Sequence, residues 1–424
     1  MSIDTAPLAE QLQDETGRRL LEEFGSPLYV FSEPHLRAAY RSLRSALDDH
    51  YPDSTIHFAV KANYNLGVLA AFRAAGCGAE AYARCELAAI EWAGFDPADV
   101  LLTGMSRRVE DIEQALEWGV DRLLVDNATE LDRIERAAEA TDRTPRVLLR
   151  GNPAMEIPTH PDIATATHES KFGLDIESGR AMAVAERVAA SDHVQLTGVQ
   201  LHIGSQITDP EPHAAAAHEM VAFAADIRNT LDVTIATLDM GGGFPVPYDE
   251  SVPATATIIE HLAEAIDRAC EEYSLPSPTL LVEPGRRLVA TAGAMLATVR
   301  TIKETPYATF AVLDVGTNAV GKWPYPIHAL TDGSERRRYD IAGPLCYTGD
   351  VIQEDVELPR LDVGDRLVLD RMGAYALSQS SQTNAQPRPG AVLLDADGNA
   401  HRVRDRETCE DLFAHDHIPA DLQR

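Results

Sequence analysis

The segment Thr55-Ile-His-Phe-Ala-Val-Lys-Ala-Asn63 decides the fold of this chain, because it opens a unit that then recurs. Its apolar run, Thr55–Val60, has the length and composition of a buried strand. A helical pattern rich in alanine and leucine, Leu66–Ala75, follows after a short polar turn. A strand followed by a helix is the repeating unit of a parallel α/β fold.

The same alternation continues from about residue 35 to residue 285. The further candidate strands are Val100–Leu102, Arg122–Val125, Arg146–Leu149, Gln195–Leu201, Thr237–Met240 and Thr279–Val282. The candidate helices between them include Glu86–Ala93, Val109–Glu117, Ala128–Ala140 and His213–Thr230. Seven or eight such steps predict either a closed (β/α)8 barrel or a doubly wound sheet. The barrel is favoured, because polar residues suited to chemistry follow many different strands, where barrels place their active sites.

The pattern changes after about residue 286, where long helical segments no longer separate the strands. The candidate strands there are Ala294–Lys303, Phe310–Val315, Arg337–Ala342, Arg366–Leu369 and Ala391–Asp395. Turns rich in Gly, Asp and Pro connect them. We therefore predict a (β/α)8 barrel domain over residues 35–285 and a mainly β C-terminal domain over residues 286–424.

Composition excludes several classes of partner. Lys and Arg total 37 against 67 Asp and Glu, a net charge of −30, so the basic footprint of a nucleic-acid-binding protein is absent. We expect no membrane segment, because no apolar run is long enough to span a bilayer or to act as a signal peptide. The five cysteines are scattered without CxxC spacing, which favours a cytoplasmic protein with neither disulfides nor a metal site.

Two groups at strand ends suggest a site for a small anionic cofactor. Lys61 directly follows the first strand. A lysine at a barrel mouth is desolvated enough to form a Schiff base, although an isolated lysine is more often solvated or ion-paired. The run Gly241-Gly242-Gly243 can bring backbone N–H groups to an anion, although glycine clusters are more often turns.

Three further groups carry chemistry. His202 and Ser205 offer a ring that can stack on a flat cofactor and a hydroxyl for a phosphate, although a lone histidine is more often structural. Glu283 can face a pyridine nitrogen and Arg286 can bind a phosphate, the alternative being a turn with a surface ion pair. Cys346, in the β domain, has a thiol able to protonate a carbanion.

In this order, the five groups resemble the alanine-racemase-fold (fold type III) decarboxylases, which use pyridoxal 5′-phosphate. The resemblance is greatest to the diaminopimelate decarboxylase branch of the diaminopimelate/ornithine decarboxylase family. It runs from Pro27-Leu28-Tyr29-Val30 to Pro387-Arg388-Pro389, nearly the whole chain. It implies that residues 1–34 join the β domain, and that the protein is a homodimer whose active sites use both subunits.

The resemblance also implies roles. Lys61 would carry the cofactor, His202 would stack on its ring and Glu283 would meet its pyridine nitrogen. The implied phosphate site is Ser205, Gly241, Gly242, Gly243 and Arg286. In the implied reaction the substrate amine replaces Lys61, the α-carboxylate leaves as CO2, and Cys346 of the neighbouring subunit, or a nearby acid, protonates the carbon. Ser170-Lys171-Phe172-Gly173 also matches the family, with a structural role expected.

The chain departs from the family where the substrate would be read. The usual Cys-Glu-Ser-Gly-Asp is Cys346-Tyr347-Thr348-Gly349-Asp350, so the glutamate expected to meet the distal ammonium of diaminopimelate is a tyrosine. The usual Arg-Pro before a tyrosine reads Gly321-Lys322-Trp323-Pro324-Tyr325, and the tyrosine expected before Asn384 is Thr383. The usual Gly-Ala-Asp is Gly78-Ala79-Glu80, and the serine that follows it is Ala83. The candidate substrate residues are Lys322, Tyr325, Tyr347 and Asp350.

The sequence thus predicts a pyridoxal-phosphate-dependent decarboxylase. Its expected small-molecule substrate is an amino acid or amino-acid conjugate whose far end is neutral, bulky or attached to a carrier. Ordinary diaminopimelate decarboxylase, which makes L-lysine, is the nearest alternative. A racemase is another, since Tyr347 stands beside Cys346 as a possible second base. A non-catalytic cofactor-binding protein is disfavoured, because such proteins of this fold lack the β domain.

Overall fold

The computed structural model describes residues 6–13, 15–155, 165–331 and 333–423. In chain order the strands are β1 Leu28–Ser32, β2 Ser54–Ala59, β3 Gly78–Ala81, β4 Val100–Leu102, β5 Arg122–Val125, β6 Arg146–Asn152, β7 Leu174–Asp175, β8 Gln195–Gln200, β9 Thr237–Asp239, β10 Thr279–Val282, β11 Gly293–Glu304, β12 Thr309–Leu313, β13 Ile327–Ala329, β14 Arg336–Ala342, β15 Val351–Pro359, β16 Arg366–Leu369, β17 Gly390–Leu394 and β18 Ala400–Arg404. The helices are α1 Leu8–Gln13, α2 Glu15–Phe24, α3 Glu33–His50, α4 Leu66–Ala74, α5 Arg84–Trp92, α6 Val109–Trp118, α7 Ala128–Thr141, α8 Arg180–Ala189, α9 Glu211–Leu231, α10 Thr255–Tyr273, α11 Arg286–Val289, α12 Thr317–Val320 and α13 Cys409–Leu412.

The chain divides into two units, one of residues 36–288 and one of residues 6–35 and 289–423. In the first unit, eight strands pair in parallel in the order β2-β3-β4-β5-β6-β8-β9-β10. Strand β10 also pairs with β2, which closes the ring. The predicted (β/α)8 barrel is therefore confirmed, and the doubly wound alternative is wrong. Among the described helices, none is long and apolar enough to cross a membrane.

Strand β3 is the barrel strand that the sequence pattern did not reveal. Its residues Gly-Ala-Glu-Ala have low strand propensity, yet all four are buried. The strand forms because it pairs with β2 on one side and β4 on the other. A Cβ on Gly78 would lie 2.7 Å from the carbonyl oxygen of Asp99, so this close approach requires glycine.

Leucines fill part of the barrel interior, and asparagines start two of the surrounding helices. Leu101, Leu124, Leu148 and Leu281, from four different strands, form one buried cluster. The side chain of Asn65 accepts from the N–H of Gly67 at 2.9 Å, and the side chain of Asn127 accepts from the N–H of Glu130 at 3.0 Å. Such caps satisfy backbone donors that a helix start leaves unpaired, and so fix where α4 and α7 begin.

The second unit is built on a mixed sheet in the order β15-β14-β12-β11-β1-β17-β18, with β16 joined to β11 and β13 to β16. The predicted, mainly β domain is confirmed. Strand β1 lies between β11, to which it is antiparallel, and β17, to which it is parallel. Leucines of the N-terminal helices, Leu8, Leu12 and Leu20, are buried in the same core cluster as Leu296 and Val392 of the sheet.

Candidate active site

Lys61 lies directly after β2, in a short 3-10 turn, Val60–Ala62. Its Nζ donates to Oε2 of Glu80 at 2.9 Å. The Glu80 side chain is 1% exposed, and its Oε1 accepts from the hydroxyl of Thr103. Because both carboxylate oxygens are engaged, Glu80 is a fixed anchor that holds the half-exposed Lys61 amine at the barrel mouth.

A cavity of about 340 Å³ opens beside this ion pair. Residues at or just after the carboxyl ends of six barrel strands line it: Lys61, Glu80, Thr103, Arg150, His202 and Glu283. This is the end of the barrel at which active sites occur. The cavity therefore brings together three of the predicted site residues, Lys61, His202 and Glu283.

His202 is held as a neutral ring. Its Nδ1 accepts from the backbone N–H of Gly242 at 3.1 Å, so the proton of the neutral imidazole is on Nε2. Burial lowers the pKa of His202 well below its ordinary value of 6.5, and the positive charge of Lys61 lowers it further. A flat, uncharged ring of fixed orientation suits stacking on a planar cofactor.

The glycine run has a role that its sequence does not reveal. The N–H of Gly241 donates to Oδ1 of Asp239 at 2.9 Å, and that of Gly242 donates to His202, so these two groups hold side chains of the site in place. A Cβ on Gly242 would lie 2.6 Å from the carbonyl oxygen of Glu283. The run therefore allows the ends of β9 and β10 to approach each other more closely than any other residue would permit.

Glu283 is buried at the end of β10 and accepts from Nε2 of Gln200 at 3.3 Å. Burial raises the pKa of Glu283 and the charge of Glu80 raises it further, whereas the charge of Lys61 lowers it. A carboxyl group in this environment is poised to accept a hydrogen bond from a protonated ring nitrogen.

Ser205 and Arg286 form a second polar group of the barrel. Nε of Arg286 donates to Oγ of Ser205 at 3.3 Å, and Nη1 donates to the hydroxyl of Tyr248 at 3.2 Å. A buried guanidinium beside two hydroxyls is suited to a phosphate. Tyr248 carries no motif that marks it in the sequence.

Sequence reasoning also missed several residues that line the cavity. Glu80 was noted only as a departure from the family because its strand, β3, was not recognised, and Thr103 was not considered although it directly follows the predicted strand Val100–Leu102. Arg150 lies near the carboxyl end of β6, directly after the predicted strand Arg146–Leu149. Its Nη1 lies 3.6 Å from Oδ2 of Asp126, and its guanidinium carbon lies 4.6 Å from the centre of the Phe172 ring. Lys171, expected to be structural, also lines the cavity. A charged residue directly after a predicted strand was the available signal, as it was for Lys61.

The second unit holds a separate group of predicted residues around Asp350. Its buried carboxylate accepts from the N–H groups of Thr317 and Leu345, both at 2.7 Å, and from the Thr317 hydroxyl at 2.9 Å. The hydroxyls of Thr317 and Tyr347 lie 2.6 Å apart. Since Thr317 gives its proton to the carboxylate, Tyr347 must donate to Thr317. The phenol oxygen of Tyr347, which is half-exposed, is thereby left as an acceptor.

Cys346 precedes this tyrosine and is exposed. Asn384 contacts it twice: Oδ1 accepts from the backbone N–H of Cys346 at 3.0 Å, and Nδ2 donates to its Sγ at 2.9 Å. The backbone N–H can only donate, so it fixes the orientation of the Asn384 amide and leaves Sγ as an acceptor.

The two remaining candidates differ in their surroundings. Tyr325 is 1% exposed and donates its hydroxyl to the carbonyl of Val320 at 2.8 Å, so it stabilises the domain. Lys322 is exposed, and its Nζ lies 3.6 Å from the position that a Cβ on Gly349 would take. Lys322 is therefore the more accessible of the two.

The barrel residues fit pyridoxal phosphate. They supply a lysine amine, a flat neutral ring, a buried carboxyl group for the ring nitrogen, and a guanidinium beside hydroxyls for the phosphate. The cradle at Gly242, which a Cβ would fill, lies between the ring of His202 and the backbone carbonyl of Glu283. This fold and this set of groups define an enzyme that uses pyridoxal phosphate.

Comparisons with known proteins identify the family. The family described as "Pyridoxal-dependent decarboxylase, pyridoxal binding domain" matches residues 35–290. Diaminopimelate decarboxylase of Pseudomonas aeruginosa is 37% identical over 404 residues, 93% of this chain and 94% of that protein. The structure of Methanocaldococcus jannaschii diaminopimelate decarboxylase with L-lysine has a TM-score of 0.89 and 33% identity, covering 96% of this chain and 95% of that one. The Vibrio vulnificus lysine/ornithine decarboxylase with putrescine has a TM-score of 0.78 and 26% identity, covering 92% and 99%.

The chain belongs to the pyridoxal-dependent decarboxylase family that includes the diaminopimelate and ornithine decarboxylases. It is a carboxy-lyase, and pyridoxal phosphate is its cofactor. The alternatives of a racemase and of a non-catalytic cofactor-binding protein are thereby set aside.

Proposed function

We propose that this enzyme decarboxylates meso-diaminopimelate and so makes L-lysine. Relatives that are 31–37% identical over more than nine-tenths of the chain are diaminopimelate decarboxylases, and two of the solved relatives hold L-lysine. The observation that carries the proposal is the hydrogen-bond chain from Tyr347 through Thr317 to Asp350. It supplies an acceptor at the position where the family usually has a glutamate.

That chain suits the distal ammonium of the substrate. The proton of the Tyr347 hydroxyl is directed to Thr317, and the Thr317 proton is directed to the Asp350 carboxylate. The negative charge of Asp350 therefore polarises the phenol oxygen, which can accept a hydrogen bond from an ammonium group. Such an acceptor is weaker than a carboxylate because it carries no full charge.

The barrel residues have a consistent division of roles under this proposal. Bound pyridoxal phosphate supplies an electron sink for the pair left on the α-carbon when CO2 departs. Lys61 holds the cofactor through its amine and Glu80 positions that amine. His202 supports the ring face, Glu283 meets the ring nitrogen, and Ser205 with Arg286 and Gly243 binds the phosphate.

Cys346 is proposed as the proton donor to the reacting carbon. Its thiol is exposed and oriented by both ends of the Asn384 amide. A positioned acid of this kind typically contributes about 10²- to 10⁴-fold to a reaction. Asn384 acts on Cys346 and not on the substrate, so it is a positioning residue.

The deciding assay compares CO2 release from meso-diaminopimelate, L-lysine and L-ornithine. We expect turnover of meso-diaminopimelate, and we expect Tyr347→Phe to raise its KM about 10-fold with little change in kcat, since one hydrogen bond to a charged group is lost. Tyr347→Glu is the matched variant and should lower KM. A wild-type enzyme that is inactive on meso-diaminopimelate but active on another amino acid would refute the proposal.

One observation favours a second candidate. Tyr347 has no formal charge where the family usually has a glutamate. In addition, Lys322-Trp323 stands where the family usually has Arg-Pro. A substrate with a neutral, bulky or carrier-linked far end would fit these changes. The same assay separates the two functions if it includes Nε-acyl amino acids: preference for the acylated compounds over meso-diaminopimelate identifies this second substrate class.

We also propose a homodimer with shared active sites, in a reducing cytoplasm. The exposure of Cys346 and Tyr347 supports the shared active sites. The five free cysteines support the reducing compartment. Mixing inactive Lys61→Ala and Cys346→Ala proteins tests the dimer. Random exchange of subunits should restore about a quarter of the wild-type activity, because half of the dimers then carry one intact site. Mixtures that stay inactive after exchange exclude shared sites.

A further inference from the structure

Asp239, at the end of β9, is a fully buried carboxyl group that the roles above do not use. Its Oδ1 accepts from the N–H of Gly241 at 2.9 Å. Its Oδ2 is buried, and among the described residues no ordinary donor group reaches it. A buried carboxylate oxygen without a donor is costly, so this oxygen requires an explanation.

The neighbour of Asp239 is a second buried carboxyl group, that of Glu283 at the end of the paired strand β10, and its charge raises the pKa of Asp239. The backbone holds them together, since the N–H of Glu283 donates to the carbonyl of Gly241 at 2.6 Å. Two carboxylates in contact and away from water cannot both be ionised. One proton must therefore lie between them, and it accounts for the unsatisfied Oδ2.

The surroundings determine which carboxyl group keeps the proton. Burial and the charge of Glu80 raise the pKa of Glu283 too, but the charges of Lys61 and Arg150 lower that pKa, and Glu283 also accepts from Gln200, which favours its ionised form. Burial and the charge of Glu283 raise the pKa of Asp239 well above its ordinary value of 3.8. Glu283 is thus the carboxylate of the pair, and Asp239 is the acid.

We propose that Asp239 is a permanently protonated positioning residue that donates a hydrogen bond to Glu283 and keeps that carboxylate ionised and oriented toward the ring nitrogen of the cofactor. The inference rests on the proposed role of Glu283. With Gln200 and Asp239 both donating to it, Glu283 carries one negative charge and one fixed orientation. Asp239 supplies the second donor without adding a second charge.

The chemical mimic of a protonated aspartate is asparagine, whose Oδ1 can still accept from Gly241 and whose Nδ2 can donate to Glu283. In the wild type, the folded protein keeps a proton that the unfolded chain releases above pH 3.8, so its stability falls as pH rises. Asp239→Asn removes this loss. The variant should melt with the wild type near pH 4 and roughly 2–4 °C above it at neutral pH.

Two further measurements on the cofactor-loaded protein complete the test. Asp239→Asn should leave the pH titration of the cofactor's visible absorbance unchanged, whereas Asp239→Ala, which removes the donor, should shift it. Asp126→Asn is the matched control: Asp126 is equally buried but lies 3.6 Å from Arg150, so its neutralisation should lower the melting temperature.

Infrared spectroscopy keeps the proposal falsifiable if the variants fold poorly. Wild-type protein at neutral pH should show the C=O stretch of a protonated, buried carboxyl group, and Asp239→Asn should lose it. Absence of that band in the wild type overturns the proposal, as does an asparagine variant less stable than the wild type at neutral pH. The outcome is independent of the substrate: an enzyme that rejects meso-diaminopimelate can still hold the shared proton.

Discussion

Replacement of Gly242 by alanine tests the close approach on which the cofactor site depends. The added Cβ would lie 2.6 Å from the carbonyl oxygen of Glu283, whereas ordinary contact begins at about 3.4 Å, so the two strand ends must separate by about 0.8 Å. That oxygen cannot move freely, because the N–H of the same residue, Glu283, donates a hydrogen bond to the carbonyl oxygen of Gly241 at 2.6 Å. Overpacking of this kind destabilises a protein by about 1–3 kcal/mol. A displacement near 1 Å at a reacting group costs about 10²-fold in rate.

We therefore expect Gly242→Ala to lower the free energy of unfolding by about 1–3 kcal/mol and kcat by about 10²-fold, with weaker cofactor binding. Urea unfolding, CO2 release and titration with pyridoxal phosphate measure the three quantities. Gly390→Ala is the matched control, because its Cβ would meet its nearest neighbour at an ordinary 3.4 Å. Wild-type activity and cofactor affinity in Gly242→Ala would show that the strand ends separate at no cost and would refute the reasoning.

Three further changes have defined outcomes. In the wild type, the buried guanidinium of Arg107 lies 3.0 Å from Oε1 of Glu130. Glu130→Gln removes this charge partner and should lower the free energy of unfolding, measured in urea titrations, by about 3 kcal/mol. An unchanged urea midpoint would contradict this. Burial lowers the pKa of His213 to about 4, so the unfolded chain binds a proton that the folded protein does not, and stability should rise by roughly 3 kcal/mol between pH 4 and 6.5. In His213→Gln that rise should shrink, and an equal slope in both proteins would exclude His213 as its source. Asn384→Ala should slow the alkylation of Cys346 by iodoacetamide about 10-fold, because the N–H donor to Sγ is lost. The rate is measured in a protein without the other exposed cysteines. An equal rate in both proteins would rule out the amide contact in solution.

Much of the fold was predictable because most barrel strands are short apolar runs separated by clear helical patterns. The exception, β3, has no β-branched residue and is a strand only because its neighbours on both sides pair with it. In the second unit, β15 was missed for a related reason. In its sequence, Val-Ile-Gln-Glu-Asp-Val-Glu-Leu-Pro, the run Gln-Glu-Asp interrupts the apolar residues, and its pairing is with β14 at the end of the sheet order.

The site was predictable where chemistry follows directly from a residue type at a strand end. Lys61, His202 and Glu283 satisfy that condition, and they line one cavity. The hydrogen bonds that give them their state were not predictable, since they join residues distant in sequence. Gly242 lies 40 positions from His202, and the N–H···N bond between them sets the tautomer of the ring. Asp239 precedes the glycine run, yet only its burial and the charge of Glu283 raise its pKa.

The departures from the family differ in their consequences. Glu80, where aspartate is usual, still reaches Lys61 at 2.9 Å while it accepts from Thr103, so the longer side chain keeps both the charge and the contact. Tyr347, where glutamate is usual, keeps an acceptor but not the charge. The cofactor chemistry should therefore be intact, whereas binding of a distal ammonium should be weaker. Because the proposed contact of Tyr347 with the substrate would be the same before and during CO2 loss, we expect the deficit in KM and not in kcat.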